Sequence, residues 1–330
     1  MLRVLILDRE RYRSPLLTEF QEYLVNHSFK DIVFIKGDLA ISLEENVKNK
    51  LNDVAPDAIY YGFYPTTYIN DNIDYIVKHN IKIIAETTDN WSFGEGEQYL
   101  GMDKAKISML IYRTKYSVGR VKKYILQEER LKECKLIYSP WSSCPEKYKN
   151  LEIKDRDIDI SFIGTMYGSR PFYLINLLQN SSALKGLEGI NRNLTIYSGL
   201  IYGNNYLDIL SRSKITILVD VKDTILQKHI EAAMSGCLIL GEIPAEGKEI
   251  FKNNISIGEI SKAKLSMGMP FINDKSELFR VAKHYLENID ELKRVSEECR
   301  RRVIDSRDLQ CNAKQFVEDV TKILNLSEQE

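Results

Sequence analysis

The chain has 330 residues, 44% of them hydrophobic and 28% charged, with 46 Lys and Arg against 47 Asp and Glu for a net charge of -1. These values exclude a disordered chain and leave room for two domains, each with its own core. The near-zero charge argues against a dedicated nucleic-acid binder, and five cysteines without a C-x-x-C pair argue against a disulfide framework.

The N-terminus, MLRVLILDRERYRSP, carries acidic residues after a short apolar run and no small-residue cleavage site. It reads as a first strand, Leu2 to Leu7, rather than a leader. No apolar run approaches the ~18 residues of a membrane span, and the expected location is the cytoplasm. A helix follows from about Pro15 to Asn26. DIVFIK is a second strand, and SLEENVKNKLND a helix in which Ser42 and Glu45 have capping-box spacing. DAIYYG is a third strand, Tyr68 to His79 a helix, and IKIIAE a fourth strand that runs into TTDNW. The segment from Lys104 to Lys123 carries Lys104, Lys106, Arg113, Lys115, Arg120, Lys122 and Lys123 without an acidic residue, interleaved with Ile107, Leu110, Ile111, Tyr112 and Val118. It reads as a basic amphipathic helix with a solvated face, and such a helix can also rest on an anionic membrane or hold an anionic acceptor. CKLIYS closes this half as a strand. PWSSCPEKYKNLEIKDRD, with two prolines and many turn residues, is the expected linker.

The pattern then restarts. DISFIG, LTIYSG, KITILVD and CLILGE are strands, separated by helices at about Arg170 onward, NYLDILSRS and LQKHIEAAMSG, the last ending at Gly236. From Asp274 the chain is helical to about Leu324. Near-continuous apolar strands alternating with helices specify two doubly wound parallel sheets in an α/β protein. The expected division is 1–139, a hinge at 140–155, and 156–330. Ligands in such folds bind beyond the carboxyl ends of the strands, which singles out Asp8, Gly62 to Tyr64, Glu86 to Asp89, Gly164 and Thr165, and Tyr197 and Ser198.

DISFIG ends in Gly164, which lets backbone approach a ligand closely, and Thr165 to Ser169 feed a helix entered by Arg170. A strand-loop-helix junction presents N–H groups and a positive dipole end to phosphate, and a guanidinium can take two phosphate oxygens at once. Gly164 and Gly168 do not form G-x-G-x-x-G, so a dinucleotide is not indicated. In KHIEAAMSG, Lys228 stands three residues before Glu231, and small residues follow. Asp157-Ile158-Asp159 has D-x-D spacing but precedes its strand, so it reads as a solvated strand entrance and not a metal site.

PWSSCPEKY, DIDISFIGTMYGSRPFYLINLL, YLDILSRSKITILVD and KHIEAAMSGCLILGE, in that order, resemble the donor-binding domain of GT-B glycosyltransferases, nearest to the CgeB-like group and the retaining glycosyltransferase family 4. The resemblance runs from Ser139 to Leu324. It implies two Rossmann-like domains facing a cleft, with the acceptor on the first and a nucleotide-sugar donor on the second. It implies that Lys228 and Arg170 face the diphosphate, that Glu231 takes the ribose hydroxyls, and that Tyr197 and Ser198 lie near the base. Asp223, eight positions before Glu231, stands where the retaining family has a longer acidic residue near the sugar. No cofactor or metal is implied, because basic side chains can neutralise the leaving diphosphate. The implied partners are a nucleotide sugar and a glycan, lipid-linked or protein acceptor; the basic segment 104–123, read from its own residues, adds the option of peripheral contact at the inner membrane face. An inverting reaction needs a general base, for which Asp89, Glu86 and Asp8 are placed; a retaining one can use the leaving phosphate. A nucleotide-sugar 2-epimerase and a catalytically silent nucleotide-binding member share the architecture and stand as alternatives. SRDLQCN replaces the His-Thr-Tyr-like segment frequent in the CgeB-like group.

Overall fold

The computed structural model describes residues 1–7, 15–37, 44–61, 71–87, 107–114, 133–165, 170–171, 174, 194–198, 201, 203–218, 225–241, 247, 250 and 281–326. Its contacts divide the chain into two compact units, Met1–Ser142 with Leu309–Glu330, and Ser143–Asp308.

The first unit is built on the strands β1 (Leu2–Leu7), β2 (Ile32–Lys36), β3 (Ala58–Tyr61), β4 (Lys82–Thr87), β5 (Ile107–Tyr112) and β6 (Lys135–Tyr138). They form one sheet in the order β2-β1-β3-β4-β5-β6, with every pairing parallel. Its helices are α1 (Pro15–Asn26), α2 (Glu44–Val54), α3 (Ile73–Lys78) and the final helix, α7 (Leu309–Leu326). A parallel sheet needs a covered face on each side, and the side chains divide accordingly. Leu5, Leu7, Ile59, Ile83, Ala85 and Leu110 pack with Val47 and Leu51 of α2 and Ile73 and Ile76 of α3. On the opposite face, Phe316 of α7 meets Phe20 of α1 at 5.2 Å, Tyr60 of β3 at 5.8 Å and Phe34 of β2 at 6.3 Å between ring centroids.

Two expectations are corrected here. The segment 104–123 is not one basic helix: Ile107–Tyr112 is strand β5, paired with β4 and β6 inside the sheet. Ile107, Met109, Leu110 and Ile111 are all buried, a run covered on both sides as a central parallel strand requires. The segment's lysines and Arg120, from which the membrane option was read, lie outside the described residues. Among the described residues, no helix is long and apolar enough to cross a membrane. The second correction concerns the tail. The expected second domain ran to residue 330, but α7 belongs to the first unit, because its Phe316 fills the aromatic cluster made by Phe20, Phe34 and Tyr60.

The second unit holds β7 (Ile158–Gly164), β8 (Leu194–Ser198), β9 (Ser213–Leu218) and β10 (Leu238–Gly241), all parallel in the order β10-β9-β7-β8. With them go α4 (Gly203–Arg212), α5 (Gln227–Met234) and α6 (Ile289–Ser306). All seven residues of β7 are buried. The chain leaves β7 for β8 on one side and returns to β9 on the other, so the direction of winding reverses at the end of β7. Such a switch point is where an open α/β sheet leaves a crevice. Where the chain enters and leaves this unit the two ends pair: Ser143 bridges to Asp308, and the Ser143 N–H donates to the Arg307 carbonyl at 3.1 Å.

Candidate nucleotide-sugar site

The carboxyl end of β7 is bracketed by two cations. The Lys228 ammonium donates to the Ile163 carbonyl at 2.8 Å, and the Arg170 Nη1 donates to the Thr165 carbonyl at 2.9 Å. Gly164 lies between those carbonyls. A Cβ on it would stand 2.9 Å from Lys228 Nζ, so the absence of a side chain makes room for the ammonium, while Arg170 Nη1, at 3.7 Å, would be in ordinary contact. Arg170 opens a helical segment and is buried; Lys228 is half-buried in the first turn of α5. Burial, and then the charge of Arg170, hold the Lys228 ammonium below its ordinary pKa, while Glu231 acts in the opposite direction. Two like charges drawn together at a strand end make a place where an anion is favoured.

Glu231 follows Lys228 by three positions on α5 and is buried. Tyr206, buried in α4, donates its hydroxyl to the Glu231 carboxylate; burial first and the Glu231 charge second raise the Tyr206 pKa well above normal. The tyrosine therefore stays protonated as a donor. The start of α5 is capped by His229, whose Nδ1 accepts the Leu226 N–H at 3.0 Å. Its end is a left-handed turn: Gly236 has φ +73°, its N–H donates to Ala233, and the Cys237 N–H reaches back to Ala232. That is the Schellman pattern expected of a terminal glycine. A Cβ here would collide with the Asn150 amide and come within 2.7 Å of the Arg156 Nη2. Arg156 ties this turn to the sheet through the carbonyls of Ser235 at 2.8 Å and Ser213 at 2.6 Å.

The structure thus brings Gly164, Thr165, Arg170, Lys228 and Glu231 into one unit, with Gly164, Thr165, Arg170 and Lys228 at one strand end. Tyr197 and Ser198 are the last residues of β8, in register with Ile163 and Gly164; their side chains lie outside the description. Asp89, Asp223 and Asp8 lie outside the described residues. Asp157 and Asp159 are engaged by cations: Asp157 accepts from Arg212 Nε at 2.8 Å, and Asp159 from Lys214 at 2.6 Å. Glu86 is corrected as a candidate base. It is buried, ion-paired with Arg113 and hydrogen-bonded by the Tyr60 hydroxyl, so its carboxylate is spent inside the unit and not open to an acceptor. Tyr206 and His229 were not singled out from sequence. Tyr206 sits at an apolar-face position of its helix, and the spacing of His229 carries no motif.

Residues 165–318 match the family model described as glycosyl transferase-like. No curated protein matches the sequence. HepE (Alr3699) of Anabaena, solved in complex with UDP and glucose, is similar over 98% of this chain and 100% of its own, with a TM-score of 0.62 and 10% identity. An alpha-glucosyltransferase in complex with UDP-glucose and DNA containing an abasic site matches over 97% of this chain and 99% of its own, with a TM-score of 0.62 and 12% identity. An E. coli structure described as trehalose-6-phosphate bound with UDP-2-fluoro glucose matches over 97% and 99%, with a TM-score of 0.59 and 10% identity. The fold is that of the GT-B glycosyltransferases.

Proposed function

We infer that this chain, a GT-B glycosyltransferase by its domain and its fold, moves a sugar from a uridine diphosphate donor to a hydroxyl-bearing acceptor. The observation that carries this reading is the convergence of Lys228 and Arg170 on Gly164 at the end of β7. Each cation holds a backbone carbonyl there, and the diphosphate oxygens of a donor offer both a stronger, charge-assisted partner. The UDP and UDP-sugar complexes of HepE and of the alpha-glucosyltransferase support uridine as the base.

On this reading Glu231, oriented by Tyr206, takes the ribose hydroxyls, and Tyr197 and Ser198 border the base. Asp223, eight positions before Glu231 in the sequence, is the candidate for the sugar contact. The bond from the anomeric carbon to the diphosphate breaks, and the diphosphate leaves with the electron pair. Lys228 and Arg170 stabilise the charge that grows there, which is the work a divalent ion does in metal-dependent transferases. The bond from the acceptor oxygen to the anomeric carbon forms, and the acceptor proton passes to the leaving phosphate oxygen in a retaining reaction. Asp89 takes that proton if the outcome is inversion. The first unit receives the acceptor.

A thermal-shift screen of nucleoside diphosphates and nucleotide sugars tests this. Ligands that bind only the native state raise its stability by RT ln(1 + [L]/Kd), so UDP and one UDP-sugar are expected to raise Tm. Turnover with donor plus acceptor completes the test, while a new nucleotide sugar formed from donor alone identifies an epimerase. A chain that no nucleotide stabilises overturns the reading.

A further inference from the structure

The helix that carries Lys228 and Glu231 is too short to hold its own shape. α5 has eight residues, below the ~12–15 at which an isolated helix becomes even marginally stable, so its position depends on what grips it. Every residue from His229 to Met234 is buried, but apolar burial is non-directional. Directional contacts gather at the carboxyl end. The turn at Gly236 satisfies the carbonyls of Ala232 and Ala233. The next two carbonyls each meet a guanidinium: Arg300 Nε, from α6, donates to Met234 at 2.9 Å, and Arg156 Nη2 donates to Ser235 at 2.8 Å. A helix ends there in about half a negative charge, which two cations from separate segments offset.

Arg156 is 2% exposed and uses all five of its N–H groups. Nε donates to the Leu151 carbonyl at 3.1 Å, and Nη1 to the Ser213 carbonyl at 2.6 Å and to Cys237 Sγ at 3.9 Å. Nη2 serves the Asn150 side chain at 2.9 Å as well as Ser235. None of the five acceptors is a carboxylate. Burial accordingly holds the Arg156 pKa below its ordinary value, with Cys237 and Glu152 acting against it. A buried cation without a carboxylate against it is costly. What the planar fork supplies in return is geometry, because it fixes the start of β9, the segment ahead of β7 and the end of α5 at once. Lysine, with three donors on one atom, cannot reproduce that.

We propose that Arg156, assisted by Arg300, is a positioning residue for the donor, setting α5 from its carboxyl end so that Lys228 and Glu231 are in place before the nucleotide arrives. The identity of the ligand rests on the glycosyl-transfer reading above; the hold on α5 does not. Amide hydrogen exchange of the free, full chain reads that hold without nucleotide. In Arg156→Met the α5 amides should exchange about tenfold faster, the loss of one charge-assisted hydrogen bond, while those of β1 to β6 keep their wild-type rates. Titration of the folded proteins with UDP reads the consequence. Kd should rise about tenfold in Arg156→Met, and Arg156→Lys should restore only part of it. The alkaline limb of UDP binding should also move to higher pH, since Lys228 leaves the burial that lowers its pKa. A loss of stability alone changes neither the Kd of folded protein nor that limb. Arg300→Met, at a half-buried position, should show the same pattern at several-fold, and serves where Arg156→Met does not fold. A wild type that binds no UDP overturns the glycosyl-transfer reading, and the exchange rates alone then decide whether Arg156 sets α5. Equal α5 exchange in the wild type and both methionine variants, or a UDP Kd unchanged in both, overturns the proposal.

Discussion

Arg113 grips Glu86 at two points inside the first unit, Nε to Oε1 at 2.7 Å and Nη2 to Oε2 at 2.9 Å. Both residues are buried. The Tyr60 hydroxyl donates to the same carboxylate at 2.5 Å, and Arg113 Nη1 donates to the carbonyl and hydroxyl of Ser139. The guanidinium also lies 4.7 Å from the Phe20 ring centroid and 5.0 Å from that of Trp141. Burial alone would lower the Arg113 pKa, yet the charge and hydrogen bonds of Glu86 and Tyr60 outweigh it and raise the value. Removing one partner leaves an unmatched charge in the interior, so Glu86→Ala is expected to cost about 3–5 kcal/mol. The double variant Glu86→Leu/Arg113→Met should recover most of that loss. Urea unfolding midpoints of the three proteins check both expectations.

If the proposed function holds, Lys228 is expected to make nucleotide binding sensitive to alkali. Its pKa is held below the ordinary lysine value chiefly by burial, so the native ammonium loses its proton before the unfolded one does. In the free protein, stability therefore rises with pH between the lowered and the ordinary value. Affinity for a diphosphate moves the other way, because only the charged form holds the anion. Kd for UDP should increase as pH climbs through the lowered value. In Lys228→Met it should be about 10–100-fold weaker at neutral pH, the range of one charge-assisted hydrogen bond, and its pH dependence should flatten. Calorimetric titrations from neutral to alkaline pH decide this. A wild-type Kd that stays constant across that range removes Lys228 from the phosphate site.

Tyr206 acts through Glu231. Tyr206→Phe leaves the carboxylate in place with one donor fewer, so its hold on the ribose should loosen while the phosphate contacts remain. The expected result is a several-fold rise in KM for the donor with a much smaller change in kcat. Glu231→Ala should weaken UDP binding by about tenfold or more. Steady-state kinetics with the donor varied separates the two effects.

His229 supports the helix that presents Lys228 and Glu231. Acceptance of the Leu226 N–H requires a bare Nδ1, and the ring then carries its proton on Nε2. His229→Ala should cost about 1 kcal/mol through loss of the cap, and UDP affinity should fall with it because Lys228 occupies the same turn. Asn, another capping side chain, should restore part of both. Parallel denaturation and binding measurements on the two variants test the coupling.

Nine of the ten described strands were legible in the sequence because each is a short, largely apolar run bounded by turn residues, and the Lys228–Glu231 spacing on α5 was legible because it lies within one helical turn. What was not legible depends on distant partners. Arg113 reads as one more cation in a basic segment until Glu86, on the neighbouring strand, is brought beside it. The run Ile107–Tyr112 is apolar on every side, and the lysines flanking it impose a false helical rhythm. Tyr206 meets Glu231 only through tertiary packing of α4 and α5. Nor does anything near Phe316 in the sequence point to Phe20, almost 300 residues earlier.

The return of α7 to the first unit has a consequence for biosynthesis. The ribosome completes all six strands of the first sheet before it has made the second unit, yet the ring that covers Phe20, Phe34 and Tyr60 belongs to Phe316, near the end of the chain. The nascent sheet therefore waits with an open aromatic face while the intervening unit is translated, a state that invites association with other chains. A stop codon before Leu309 would make that waiting state permanent, and the truncated product is the form a chaperone or protease would meet.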